Sequence, residues 1–171
     1  MSIAHSEMYS RALLYCSEHG SKLDTEKSFG FGVHGSVFAC LRATSNVKTA
    51  LKIHERPVPY FRERDVYLRL GDLKIIDIEG HNIPALLDFD DRLWALEMSI
   101  VVRPFLLDFG GAYLDTPPDY DADILDQWEL DKQEQFEENW SKTSQILARL
   151  RGYGIYVADV NPGNIGFKHD I

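Results

Sequence analysis

Two polar residues late in the chain, Asp159 and Asn164, are separated by a Pro-Gly loop and lie between two short apolar runs. An aspartate can accept or position the proton of a hydroxyl group, and an amide oxygen is a ligand for a hard cation such as Mg²⁺. The same residues can also form a turn that their own side chains hold together. The spacing therefore leaves both a catalytic loop and a structural turn open.

A lysine, Lys52, stands in the middle of the apolar segment Thr49–Ile53. A buried ammonium group needs a partner or a function, because burying an unpaired charge costs free energy. Strand alternation places Ala50 on the same face as Lys52, where a small side chain leaves room for a flat base. The alternative is a lysine at a sheet edge whose ammonium group reaches water.

Glu63 follows in a segment with helical periodicity, and Tyr67 and Leu70 come at i+4 and i+7 from it. This spacing places Glu63 on the apolar face of the helix. A buried carboxylate needs a cation, so Lys52 is the expected partner. The alternative is an exposed Glu63 paired with a neighbouring arginine.

Three glycines, Gly30, Gly32 and Gly35, precede Val37 in the segment GFGVHGSV. Glycine allows the backbone to approach phosphate oxygens closely, although glycine clusters also form ordinary hairpin turns. A dinucleotide-binding loop would lead into a helix, whereas Val37–Leu41 has the composition of a strand. The pattern therefore favours a glycine-rich hairpin.

These residues need a sheet and helices to position them, and the periodicity predicts an α+β fold. The first hundred residues indicate about five antiparallel strands with one inserted helix. The predicted segments are a helix over 6–18, strands over 22–28, 37–43 and 48–54, a helix over 60–70, and a hairpin of 83–89 and 93–102. The second part is predicted to be helical, with an apolar stripe of Ile124, Trp128, Phe136, Trp140, Ile146, Leu147 and Leu150.

Composition excludes several classes of function. The net charge of −9 argues against a nucleic-acid partner. No apolar run approaches the roughly 20 residues that a membrane-spanning helix needs, and the start lacks the features of a signal peptide, so we expect a cytoplasmic location and no membrane partner. Cys16 and Cys40 are expected to be buried free thiols, and the histidines show no spacing of zinc or iron ligands.

The negative charge belongs to one segment. Residues 115–139 contain ten acidic residues and one basic residue, and the rest of the chain is neutral. A solvated helix face is the favoured interpretation, and a basic partner or substrate peptide is the alternative.

Together, in this order, the motifs resemble those of the protein-kinase superfamily. GFGVHGSV resembles its glycine-rich loop, TALKI the strand with the phosphate-binding lysine, and DVNPGN its catalytic loop. The resemblance covers nearly the whole chain. It implies an N-lobe over 1–98, with the five-stranded sheet and one helix, and a reduced, mostly helical C-lobe over 99–171.

The resemblance also implies roles for individual residues. Asp159 would be the catalytic base, with Lys52 and Glu63 completing the catalytic set, and Mg²⁺ would be held at Asn164 and Asp159. ATP would be bound by residues of the N-lobe, which are Gly30, Gly32, Gly35, Val37, Ala50, Lys52, Glu97 and Met98. The last two would belong to the adenine-binding hinge, together with Leu96.

The sequence departs from this pattern at the catalytic loop. Val157–Ala158–Asp159 stands where eukaryotic-type kinases have His-Arg-Asp, and Asn161 replaces the lysine common two positions after the aspartate. The change removes a positive charge that would help neutralise the transferring phosphate. It suggests an atypical bacterial-type or small-molecule-kinase-like member.

A second departure concerns the metal-binding Asp-Phe-Gly, which family order places after the catalytic loop. The printed sequence ends seven residues beyond Asn164, which indicates either a truncation or a minimal member, and Asp170 is too close to Asn164 to substitute. A literal Asp108–Phe109–Gly110 occurs earlier in the chain. Family order favours a coincidence in a loop after the hinge, and the alternative is that Asp108 folds back to the metal site.

Two functions remain open on the sequence. The favoured one is phosphoryl transfer from ATP to a hydroxyl group of a protein or a small molecule. The alternative is a pseudokinase-like module that binds nucleotide or a protein partner without turnover. The retained motifs favour the first, and the absence of the downstream aspartate favours the second.

Overall fold

The computed structural model describes residues 3–32 and 34–168, and the side chains within them except those of 3–5 and 25–32. The α-helices are Ile3–His19 (α1), Pro57–Asp72 (α2), Ala122–Phe136 (α3) and Trp140–Gly152 (α4), with a 3₁₀ turn at Glu137–Asn139. The strands are Ser21–Gly32 (β1), Gly35–Arg42 (β2), Lys48–His54 (β3), Asp77–Ile78 (β4), His81–Asn82 (β5), Leu86–Asp90 (β6), Ala95–Ser99 (β7), Phe105–Leu106 (β8), Ala112–Leu114 (β9), Ile155–Val157 (β10) and Ile165–Gly166 (β11).

The main sheet is antiparallel and has five strands in the order β1-β2-β3-β7-β6. The α+β class and the five-stranded sheet are therefore confirmed. The strand over residues 48–54 has the predicted bounds, and the predicted hairpin is the β6–β7 pair. Helix α2 begins at Pro57, where the missing amide hydrogen of proline costs no intrahelical hydrogen bond.

Short strands complete the architecture around the helices. β9 pairs with β10, and β11, β8, β5 and β4 form a four-stranded sheet in that order. The prediction of a mostly helical second part therefore holds for residues 122–152 and is wrong for the flanking segments. Strands of two or three residues are too short to show a period of two, which is why the sequence did not reveal them.

One apolar cluster joins the two predicted lobes. It includes Leu70 and Leu96 from the first part and Ile146, Leu150 and Ile155 from the second. A smaller cluster lies between α1 and the main sheet and contains Cys16 and Cys40, which are buried free thiols as predicted.

The surface of α3 is mostly exposed. Phe136 is its one fully buried residue, and Ile124, which the spacing assigned to the apolar stripe, is 51% exposed. The acidic residues of 115–139 are all exposed, in agreement with a solvated helix face. A basic partner for them stays a prediction. None of the described helices is long and apolar enough to cross a membrane.

Candidate functional site

A cavity of about 390 Å³ lies against one face of the main sheet. This volume is within the range of small-molecule sites, which runs from about 300 to 1,000 Å³. Of the residues singled out in the sequence, it is lined by Val37, Ala50, Lys52, Glu63, Met98 and Asn164. The structure thus brings together side chains from β2, β3, α2, β7 and the loop before β11.

Strand register explains why the first of these residues share a face. Val37 on β2 lies opposite Lys52 on β3, and Ala50 on β3 lies opposite Met98 on β7. Residues directly opposite each other in an antiparallel pair project to the same side of the sheet, and so do residues two apart on one strand. The cavity therefore combines an apolar wall with one buried ammonium group.

Lys52 is buried between two carboxylates. Its Nζ lies 2.6 Å from Glu63 Oε2 and 3.1 Å from Asp108 Oδ1. Burial by itself would lower the pKa of Lys52, but the negative charges of Glu63 and Asp108 outweigh it and raise that pKa above its ordinary value. Lys52 is therefore a cation at neutral pH.

Glu63 is fully buried and accepts from two donors on β3. Its Oε2 lies 2.6 Å from both Lys52 Nζ and His54 Nε2. Burial opposes ionisation, yet the charge of Lys52 and the hydrogen bond with His54 lower the pKa of Glu63 to about 2. Sequence reasoning missed His54, although it is two residues after Lys52 and so projects from the same face of the strand.

The lowered pKa of Glu63 predicts an acid-labile fold. Its folded pKa of about 2 lies below the ordinary 4.5, so its stabilisation is complete above pH 4.5 and disappears as the pH falls through 2. The contribution is on the order of 3 kcal/mol. Urea unfolding between pH 7 and pH 2 measures it. The loss between pH 4.5 and pH 2 should be smaller in Glu63→Gln, and an equal loss in both proteins would contradict this assignment.

Asp108 joins the site through the pairing of two short strands. Ile165 on β11 lies opposite Leu106 on β8, and the amide of Leu107 donates to the carbonyl of Asn164 at 2.8 Å. Asp108 and Asn164 consequently both line the cavity. The structure thus places Asp108 beside Lys52 and in the same cavity as Asn164, which agrees with the alternative that it folds back to these residues, and a metal-binding role stays a prediction.

Asp159 lies next to Gly111 and is not among the residues that line the cavity. Its carboxylate is 53% exposed, and its Oδ2 is 3.5 Å from Nε2 of His34. The Asp159 backbone follows β10, and the amide of Ala158 donates to the carbonyl of Gly111 at 3.4 Å. Asp159 is thus held next to the segment that follows Asp108, with its carboxylate accessible to solvent.

The three glycines lie in the β1–β2 hairpin, in agreement with the predicted strand on both sides. Gly30 pairs with Val37 and Gly32 with Gly35. Gly35 approaches β3 so closely that a Cβ there would collide with the carbonyl oxygen of Ile53. The third glycine therefore has a packing reason of its own, in addition to any contact with phosphate.

The side chain of Glu97 does not line the cavity, and its predicted place in a nucleotide-binding hinge stays a prediction. It is buried on the other face of the sheet, where its Oε1 accepts from Thr49 Oγ1 at 2.7 Å and from Arg42 Nε at 2.9 Å. Its Oε2 accepts from Tyr15 at 3.1 Å. Since Met98 faces the cavity, alternation along β7 turns Glu97 away from it. The lining continues beyond Met98 through residues 99–101.

A separate histidine-containing cluster lies at the other side of the main sheet. Within the described part of the chain, Glu18, His19 and Asp90 bring their ligand atoms within 4.8 Å of one another. The guanidinium group of Arg92 donates to Glu18 at 2.7 Å and to Asp90 at 2.9 Å. Arginine already compensates these carboxylates, so we assign no metal to this cluster.

No profile of a known protein family matches the chain. A comparison with curated protein sequences gives no significant match either. The geometry of the cavity and its surroundings is therefore the basis for assigning a function.

Proposed function

We propose that the chain binds ATP with Mg²⁺ in the cavity and transfers the terminal phosphoryl group to a hydroxyl group of a protein or a small molecule. The observation that carries this proposal is the position of Lys52, buried between Glu63 and Asp108 in a cavity that Asn164 also lines. A protein-kinase-like fold follows from the same proposal, because these residues occur on elements resembling those of that superfamily.

The apolar wall suits the base of the nucleotide. Val37, Ala50 and Met98 offer a flat, mostly apolar surface, and residues 99–101 continue it along the edge of the main sheet. A purine ring gains free energy from leaving water on such a surface, while backbone groups at the edge can read its polar atoms.

The charged end of the cavity suits the phosphates. Lys52 supplies a cation, and its ion pair with Glu63, at 2.6 Å, orients its ammonium group. Because Lys52 is already held in one place, less side-chain entropy is lost when a phosphate binds. The glycine hairpin of β1 and β2 adjoins the strand that carries Lys52 and is the element that would cover the phosphates.

Asp108 and Asn164 fit a magnesium ion. They offer a carboxylate and an amide oxygen, both hard ligands that Mg²⁺ accepts, and strand pairing brings them to one cavity. When bound, the ion would neutralise negative charge on the phosphate oxygens. In this proposal Asp108 takes the place of the carboxylate that family order puts after Asn164, and its position in the cavity supports turnover over binding alone.

Asp159 is assigned the role of base. Its carboxylate is exposed beside the segment 108–111, where an acceptor hydroxyl group can reach it from solvent. A carboxylate in that place accepts or positions the hydroxyl proton while the phosphoryl group is transferred.

Calorimetric titration with MgATP, combined with a measurement of ADP release, tests the proposal. We expect a dissociation constant below about 1 mM and release of ADP that requires Mg²⁺. Asp159→Ala should lower turnover by about 100-fold or more while affinity for MgATP changes little. Asp126→Asn, an exposed carboxylate on α3, is the control and should behave as wild type.

Two results would contradict parts of this assignment. A protein that binds no ATP at millimolar concentration would exclude the nucleotide site. Tight MgATP binding without ADP release or autophosphorylation would instead favour the pseudokinase-like alternative.

A further inference from the structure

His34 lies at the tip of the glycine hairpin and touches two other parts of the candidate site. Its Nε2 is 3.5 Å from Oδ2 of Asp159, and its ring packs against Gly110. Its carbonyl accepts from the amide of Glu55 at 3.1 Å, which holds the backbone of the tip against the end of β3. The tip of the hairpin, the segment after Asp108 and the loop of Asp159 therefore meet at one side chain.

Two glycines leave the room that this arrangement needs. A Cβ on Gly110 would lie 2.8 Å from Cδ2 of His34, and a Cβ on Gly111 would lie 2.7 Å from Cβ of Asp159. Both distances are shorter than van der Waals contact, so larger residues would displace either His34 or Asp159. Close approach of three backbone segments is a recognised reason for glycine.

The side chain of Asn161, in the same loop as Asp159, already has a partner. Asn161, which stands where related loops have a lysine, accepts the amide of Gly163 on its Oδ1 at 3.0 Å. The side-chain oxygen of Asn161 therefore stabilises the turn. His34 reaches Asp159 from a different element, and the tautomer that carries the proton on Nε2 can donate to the carboxylate once the 3.5 Å contact shortens.

We propose that His34 is a positioning residue that fastens the tip of the glycine hairpin to Asp159. The contact orients the Asp159 carboxylate and keeps the hairpin closed over the charged end of the cavity. The 3.5 Å separation is an ion-pair contact longer than a formed hydrogen bond, and contacts of catalytic groups in ligand-free sites are often long and tighten when the substrate binds. The effect on turnover rests on the proposed function, whereas the contact itself does not.

The contact is tested first in the protein without nucleotide. Amide hydrogen exchange of residues 34–36 reports the opening of the hairpin tip. Loss of this partly exposed contact should speed this exchange about two- to fivefold in His34→Ala and in Asp159→Ala. The double variant should exchange no faster than the singles, because both remove the same contact. His34→Gln, whose amide nitrogen can replace Nε2, should recover most of the protection.

Turnover gives the second measurement. In His34→Ala we expect kcat to fall about tenfold or more while KM for MgATP changes less than about threefold, and in His34→Gln we expect partial recovery. Ser45→Ala, in the exposed turn between β2 and β3, is the control and should match wild type in exchange and turnover.

Unchanged exchange in His34→Ala, or additive effects in the double variant, would overturn the proposal whether or not ATP binds. If the wild-type protein binds no ATP and His34→Ala still exchanges faster than wild type, the result would support the contact and contradict the proposed function. Faster exchange with unchanged kcat would overturn the positioning role.

Discussion

Asp108→Asn is expected to lower Mg²⁺-dependent turnover by about 100-fold or more. Asparagine keeps the shape of the side chain and one oxygen atom, but it removes the negative charge that faces Lys52 at 3.1 Å. A neutral ligand binds Mg²⁺ less well than a carboxylate. Affinity for ATP without Mg²⁺ should not fall, because the substitution removes a negative charge from the neighbourhood of the phosphates.

The matched control is Asp115→Asn, which also removes an ion-paired carboxylate. Asp115 binds Arg69 with Oδ1 at 2.6 Å and lies outside the cavity. We expect wild-type turnover in this variant. Thermal denaturation should show that both variants are folded, since Lys52 keeps Glu63 as a partner when Asp108 is changed. Wild-type turnover in Asp108→Asn would remove Asp108 from the metal site and leave the chain with the binding-only alternative.

The sequence predicted the local part of the site well. Lys52 and Glu63 are eleven positions apart, and the strand and helix periodicities that predict their faces are both strong there. Their ion pair follows from the cost of burying either charge alone. His54 was missed although the same alternation applies, because a histidine at the end of a strand has several common roles.

The non-local part of the site was not predictable in the same way. Asp108 and Asn164 line the same cavity because β8 pairs with β11, and each of these strands has two residues. No periodicity marks so short a strand, and family order places the required acid on the other side of Asn164. In the structure, the carboxylate that lines the cavity with Asn164 is Asp108, from a segment that comes earlier in the chain.

Glu97 shows how a correctly predicted strand can leave the direction of a side chain open. The strand Ala95–Ser99 is where the sequence predicts it, but a phase difference of one residue decides which side chains face the cavity. Met98 faces the cavity, and Glu97 faces α1. The hydrogen-bond partners Tyr15, Arg42 and Thr49 come from three separate elements, so nothing local in the sequence indicates them.

Glu97→Ala is therefore expected to reduce stability rather than nucleotide binding. Removing the carboxylate leaves the hydroxyl groups of Tyr15 and Thr49 buried without their acceptor. It also leaves Arg42 without the hydrogen bond that raises the pKa of its guanidinium group above the ordinary value. Breaking a buried charged network of this kind costs about 3 kcal/mol. Arg42 contributes less of this loss than Tyr15 and Thr49, because its guanidinium group can turn towards water.

Urea unfolding at pH 7 measures this loss, and Asp88→Ala is the control. Asp88 approaches Arg42 at 4.0 Å and His19 at 2.9 Å, but it is partly exposed, so its removal should cost about 1 kcal/mol or less. Under conditions where Glu97→Ala is folded, its dissociation constant for MgATP should stay within about threefold of wild type. A stable Glu97→Ala protein with weakened ATP binding would restore Glu97 to the nucleotide site, because only contact with the ligand would then explain the loss.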